Sequence, residues 1–314
     1  MNGTLETVDN RPALRFERRL AHPAERVWRA ISEPAELERW FLGPVHWTPE
    51  AGESFEAMGQ AGEVREVEPP HVLAWTWGSE DFRFELTPDG EGCVLAFTHV
   101  FEDRSLGAQH AAGWESYFSR LDAHLAGGFL SVDDAHAPAP ELHERYAERF
   151  GLDPAPGRRT LAAVQADPVT LEDGPKLRIE RRYHHPVERV WRAITDPGEL
   201  RHWFPGTLDV TESDEPRVLA GTWYDDELRF ELTPDGDGCV LVFTHAFDER
   251  AKAARDAAGW DVCFVRLDAL LGGEPMDEKE SLQTWPFKHE RYAEQFGVDP
   301  ALGREAFAEH PTQQ

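Results

Sequence analysis

The chain repeats itself at the scale of a domain. Residues 82–99 read FRFELTPDGEGCVLAFTH and residues 228–245 read LRFELTPDGDGCVLVFTH, identical at 15 of 18 positions. The heptapeptide ERVWRAI occurs at 25–31 and again at 188–194. HERYAERFGLDPAPGR at 143–158 returns as HERYAEQFGVDPALGR at 289–304. Such spacings are domain-sized, so the sequence predicts two copies of one domain and not a solenoid. The spacing also changes along the chain. Trp40 and Trp203 lie 163 positions apart, whereas Val72 and Val218 lie 146 apart. The second copy is therefore 17 residues shorter between its Trp-Phe pair and its Val-Leu-Ala segment. The stretch without a counterpart, about 45–60 with Trp47 and Phe55, reads as a strand pair. The second sheet is expected to lack it.

Periodicity places the elements. Residues 14–20 and 177–183 alternate apolar and charged, as a half-buried strand does. Pro23 and Pro186 precede short amphipathic helices, the first carrying Val27, Trp28 and Ile31. Ser32 and Thr195 are expected to cap a second short helix that begins at Pro34 or Pro197. Strands follow at 63–67 and 72–77. Those at 82–86 and 93–99 flank Pro88-Asp89-Gly90, a hairpin signal. Trp114, Phe118, Leu121 and Leu125 then recur at helical spacing, as do Trp260, Phe264, Leu267 and Leu271. This order predicts an α+β fold in which each curved antiparallel sheet buries its concave face against a long C-terminal helix. The expected domains are 12–158 and 175–304, with 159–174 as linker.

Thirty-two basic and 59 acidic residues give a net charge of −27. Such a chain repels phosphate backbones and has no reason to bind an anionic membrane, so neither nucleic acid nor membrane insertion is expected. No apolar run approaches the roughly 20 residues of a membrane span. The start, MNGTLETVDN, lacks a basic region followed by an apolar one, and the three cysteines, Cys93, Cys239 and Cys263, are too few for a disulfide framework. A cytoplasmic location is expected. His143-Glu144 does not continue to a second His four residues on, since Ala147 stands there, so the zinc-protease motif is absent. No Cys-x-x-Cys, nucleophile elbow or phosphate loop occurs. The sequence predicts no catalytic residue, no metal and no cofactor.

Pro-x-Glu-x-Val-Trp-x-Ala-Ile-Ser/Thr-x-Pro-x-x-Leu-x-x-Trp-Phe appears in both copies. In the first, Gly62-x-Val-x-Glu-Val-x-Pro-Pro-x-x-Leu-x-Trp-x-Trp77 follows, then Gly-x-Cys-Val-Leu-x-Phe-Thr-His, then Gly-Trp and a helix. This pattern resembles the bacterial proteins similar to the C-terminal domain of the heat-shock-protein ATPase activator, within the SRPBCC or START-like superfamily. The resemblance implies a helix-grip fold for each copy, which the family usually carries singly and this chain has in tandem, a ligand between sheet and helix, and a chaperone as a partner in the alternative. It does not extend to the His-Glu-Arg-Tyr-Ala-Glu tails.

In such a fold the inward residues are Phe82 and Phe84, because Arg83 and Glu85 need water. The family pattern adds Leu95, Phe97 and His99. Trp75 and Trp77 share a face, and Trp114, Phe118 and Leu121 close the space from the helix. These ten residues either wall a cavity for a small apolar molecule or pack a solid core. His99 would be the cavity's polar handle, a base, or a structural histidine. The helix at 141–150 carries Leu142, Tyr146 and Phe150 on one narrow stripe, suited to docking on its own domain or on the other copy. Three functions follow: a non-catalytic carrier of a small apolar ligand in the first domain, an activator-like partner of a chaperone, or an enzyme of the polyketide cyclase type.

Overall fold

The computed structural model describes residues 3–41, 43, 45–57, 60–164, 169–282 and 284–309. The chain forms two compact units, Met1–Ala162 and Ala163–Gln314.

Unit 1 begins with β1 (Thr4–Val8) and β2 (Arg11–Leu20), continues with α1 (Ala24–Ser32) and α2 (Pro34–Leu37), and then adds β3 (Ser54–Ala57), β4 (Gln60–Glu68), β5 (Val72–Trp77), β6 (Glu80–Asp89) and β7 (Gly92–Val100). The long helix α3 (Gly107–Leu125), a short α4 (Val132–His136) and the pair α5 (Ala139–Phe150) and α6 (Ala155–Val164) complete it. The sheet is antiparallel, in the order β1-β2-β7-β6-β5-β4-β3. Strict alternation of burial along β7 puts Leu95, Phe97 and His99 on the face that meets α3.

Unit 2 repeats the plan with β8 (Val169–Glu172), β9 (Lys176–Tyr183), α7 (Val187–Thr195), α8 (Pro197–Leu200), β10 (Asp209–Asp214), β11 (Val218–Trp223), β12 (Asp226–Asp235) and β13 (Gly238–Ala246). The long helix is α9 (Ala253–Leu271), followed by α10 (Glu278–Leu282), α11 (Trp285–Phe296) and α12 (Ala301–Glu309). Its sheet runs β10-β11-β12-β13-β9-β8.

The expected α+β architecture is present: two antiparallel sheets, each against a long helix. Three details correct the sequence reading. The second sheet has six described strands against seven, so it lacks one strand and not a pair. β10 is the counterpart of β4, because Asp209 pairs with Thr222 as Glu63 pairs with Thr76, and both strands carry a bulge one residue further on. The missing segment is therefore β3 with the loop before it. Next, β1 precedes the expected start of the first domain, and β8 lies in the segment expected as linker; each pairs with the first core strand of its unit. Four- and five-residue strands are too short for alternation to reveal. Lastly, Ser32 and Thr195 do not cap α2 and α8. Their hydroxyls donate back to the carbonyls of Trp28 and Trp191 at 2.7 and 2.8 Å. Such back-bonding competes with capping, and in unit 2 Asp196 caps instead, accepting from the amides of Gly198 and Glu199.

Candidate functional site

The space between the first sheet and α3 is filled with rings. Trp114 stands at its centre, with ring centroids 4.1 Å from Phe97, 5.6 Å from Phe118 and 5.9 Å from Phe82. Phe84 packs 4.6 Å from Phe97. Leu95, Phe118 and Leu121 are fully buried around them. Tilted and edge-to-face pairs of this kind suit the ring quadrupole and leave little void.

A small pocket in unit 1 lies to one side, toward the sheet's β3 edge. Phe41, Gly43, Val45, Phe55, Ala57, Trp75 and Trp77 line a pocket of about 10 Å³, room for about one water. Of the ten residues expected to line a cavity, Trp75 and Trp77 do so, and the other eight belong to the packed region behind it. The roof is the segment before β4. Trp47 meets Phe55 and Trp75 edge-on at 5.1 and 5.2 Å, and its indole N–H donates to the Ser32 carbonyl at 2.9 Å. The Trp77 N–H donates to the Ala57 carbonyl at 2.9 Å.

Unit 2 has lost this roof and its floor together. Residue 221, the counterpart of Trp75, is glycine. A Cβ there would lie 2.4 Å from the Asp209 carbonyl oxygen, so the neighbouring strand occupies the space of the lost ring. The coincidence of a Trp-to-Gly change with the 17-residue shortfall is the sequence signal that would have led to Phe55 and its neighbours.

Between the sheet and the long helix a polar relay repeats in both units. The Trp114 indole donates to His99 Nδ1 at 3.1 Å, and His99 Nε2 lies 2.9 Å from a Glu80 carboxylate oxygen. An indole only donates, so Nδ1 holds a lone pair and Nε2 carries the imidazole's single proton. In unit 2, Trp260, His245 and Asp226 repeat this at 2.9 and 3.0 Å. His110 approaches Glu80 at 3.9 Å. Burial, then the neighbouring His99, pushes the His110 pKa down to about 4. Burial also raises that of Glu80, but the hydrogen bond from His99, with the Arg11 charge nearby, outweighs it and holds the carboxyl below its ordinary value. Glu80 and His110 escaped the sequence reading because they come from a strand start and a helix first turn with no shared spacing.

Ligand atoms of Glu80, His99 and His110 all lie within 4.8 Å of one another, close enough to face one ion. The tautomer does not fit. A metal-bound imidazole donates through its second ring nitrogen, and here that nitrogen accepts from Trp114. The same engagement of both nitrogens leaves His99, 2 % exposed, without a free site for acid–base work.

The repeated tail is a clasp within each unit. Tyr146 on α5 donates to Glu115 of α3 at 2.6 Å, and Tyr292 on α11 donates to Asp261 of α9 at 3.0 Å. His143 packs where a Cβ on Gly157 would be, 2.2 Å from its Nε2, and His289 does the same at Gly303 at 2.1 Å. Glu144 holds Arg158, and Glu290 holds Arg304, through two hydrogen bonds each. His, Glu, Tyr, Gly and Arg of the motif thus all close one helix pair onto the long helix. The docking on its own unit, one of two readings of the stripe, is the one observed.

Among solved structures, the chain is similar to CalU16 from Micromonospora echinospora, at 20 % identity over 48 % of this chain and 96 % of that one, with a TM-score of 0.41. It is similar to protein MLL2253 from Mesorhizobium loti at 27 % identity, over 37 % and 96 % of the two chains, with a TM-score of 0.34. A conserved protein of unknown function from Enterococcus faecalis is 17 % identical over 48 % and 90 %, with a TM-score of 0.40. No curated protein shows significant similarity to the chain. Residues 21–126 match the family described as Activator of Hsp90 ATPase homolog 1-like protein. With its sheet, its long helix and these matched residues, unit 1 carries an AHSA1-like domain of the SRPBCC superfamily, and unit 2 repeats its architecture.

Proposed function

We propose that unit 1 is a non-catalytic binding module for a small apolar molecule, taken up where Phe41, Val45, Phe55, Trp75 and Trp77 meet. The observation that carries this reading is the aromatic pocket itself, built in unit 1 and filled by backbone in unit 2. The pocket as it stands holds no more than a water, so a ligand enters by displacing the segment at 45–57, which has no helix or strand before β3. Apolar walls with few polar groups suit ligands without charge. The net charge of −27 disfavours nucleic acid as a partner, and no described helix is long and apolar enough to cross a membrane. The three cysteines are free and buried, which suits a reducing cytoplasm.

Titration of the full chain with Nile red, a neutral apolar dye, tests the reading. Trp77→Ala should weaken binding about tenfold or more, whereas Trp223→Ala, its counterpart in unit 2, should leave it unchanged. Circular dichroism verifies that each variant is folded. Absence of dye binding, or equal effects of the two variants, would overturn the proposal.

A second reading, a partner of an Hsp90-type chaperone, is favoured by the family match at 21–126. It predicts that the full chain changes the ATPase rate of such a chaperone, and an unchanged rate would count against it. The cyclase reading finds no comparable support, since His99, its one inner acid–base candidate, has both ring nitrogens engaged.

A further inference from the structure

We propose that the open edge of the second sheet, strand β10, binds an extended basic segment of another protein by strand addition. The argument rests on what unit 1 does with the same edge. There Val64 sits on β4, 0 % exposed. Its amide donates to the Glu53 carbonyl at 2.8 Å, and its carbonyl accepts from the Gly52 amide at 2.8 Å. β3 continues the pairing through Ser54↔Glu63 and Phe55↔Gly62. The edge is sealed by a segment of the chain itself.

Val210 occupies the same register in unit 2, paired with Gly221 as Val64 is with Trp75 and followed by the same bulge. Its outward N–H and C=O therefore point as those of Val64 do, but the sealing segment is missing. Among the described residues β10 pairs only with β11. All six of its residues are exposed, and Val210 is 55 % exposed. An unpaired edge of this kind is a template for an incoming strand. In the turn after β11, Tyr224 is 81 % exposed at φ +54°, where unit 1 has Gly78 at φ +58°, and its hydroxyl lies 3.8 Å from where a Cβ on Gly206, ahead of β10, would be. A tyrosine in left-handed backbone is held against its own preference, and its ring is exposed near the approach to β10.

Charge selects the occupant. Asp209, Glu212 and Asp214 lie on β10 and Glu215 follows it. Arg229 pairs with Glu212 and Arg217 with Asp214, but four acids against two arginines leave the edge acidic. Two copies of β10 side by side would set like charges across the ladder, which is destabilising, and the whole chain carries −27. A segment alternating basic and apolar residues meets the acids, covers Val210 and satisfies the free backbone groups.

The probe is a peptide of about eight alternating lysines and valines, a typical strand length, with a glutamate–valine peptide as control. Hydrogen exchange of the full chain should slow at 209–214 with the basic peptide and not at 60–68 of unit 1. Asp209→Lys with Glu215→Lys should weaken peptide binding about tenfold, as the loss of two exposed charge contacts implies. Val210→Pro, which removes the outward N–H at an edge that tolerates proline, should abolish it. Equal protection by both peptides, protection elsewhere only, or a concentration-dependent dimer that seals β10 by itself would overturn the proposal.

Discussion

Val64 and Val210 hold one place in two copies of one sheet, yet the first is sealed and the second faces water. The difference comes from a set of residues that changes together. Unit 1 has Trp47 edge-on against both Phe55 and Trp75, and unit 2 has neither the segment bearing the first two nor the ring of the third. Removing the roof alone would have exposed a tryptophan face. Replacing that tryptophan with glycine lets the β10 backbone close over the gap. A domain can shed a strand when the surface beneath is redesigned at the same time. The buried charges differ as well. Lys288, fully buried on α11, lies 3.2 Å from Asp261, where unit 1 has Leu142 and Glu115. Burial holds the Lys288 pKa below its usual value.

The comparison breaks first at Trp75. Trp75→Gly removes a fully packed ring without supplying the compensating backbone shift. Unit 1 should lose about 3–5 kcal/mol, the usual cost of emptying a large aromatic site. Urea denaturation of the full chain, followed by hydrogen exchange in each unit, measures it. A loss under about 1 kcal/mol would show that the roof and floor are independent.

The clasps should respond alike in both units. Gly157→Ala and Gly303→Ala each drive a methyl into a buried imidazole, and overpacking of this kind costs about 1–3 kcal/mol. Rapid exchange at α5 and α6, or at α11 and α12, is the expected sign. Normal protection in either variant would remove the close approach as the reason for that glycine.

A smaller contrast separates the edge valines. Val64→Ala should cost about 1.5 kcal/mol, that of two buried methyl groups, and Val210→Ala less than about 0.5 kcal/mol, as on most surfaces. Equal costs would mean that β10 is covered in solution.

The smallest effect is in pH. His110 is held neutral in the folded state, with a pKa lowered from 6.5 to about 4. The unfolded chain therefore takes up the proton first, and this group's share of stability falls as pH drops from 6.5 to about 4. Its counterpart Asp256 has a pKa raised by burial, against Arg255. The folded state binds that proton more tightly, so acidification through the raised pKa of Asp256 favours unit 2. Unit 1 should thus weaken relative to unit 2 on acidification, and His110→Asp should reduce the gap. Melting curves across that range, resolved by unit, check the sign.

The sequence by itself determined the duplication, the order of core strands and long helices, and the inward faces of β6 and β7. Near-identity is direct evidence of a shared fold, and the period-2 and helical patterns depend on neighbours close in the chain. Pro88-Asp89-Gly90 announced its hairpin for the same local reason. Tertiary structure alone decided where the open space lies, that one strand and not two is missing, and that the two short strands β1 and β8 join the sheets. It alone set the tautomer of His99, because Trp114 and Glu80 reach it from another helix and another strand. It likewise explained the tail motif, whose His meets a glycine 14 residues on and whose Tyr meets an acid 31 residues back. Each of these depends on groups distant in sequence that come within hydrogen-bond or van der Waals range only once the sheet and helices have packed.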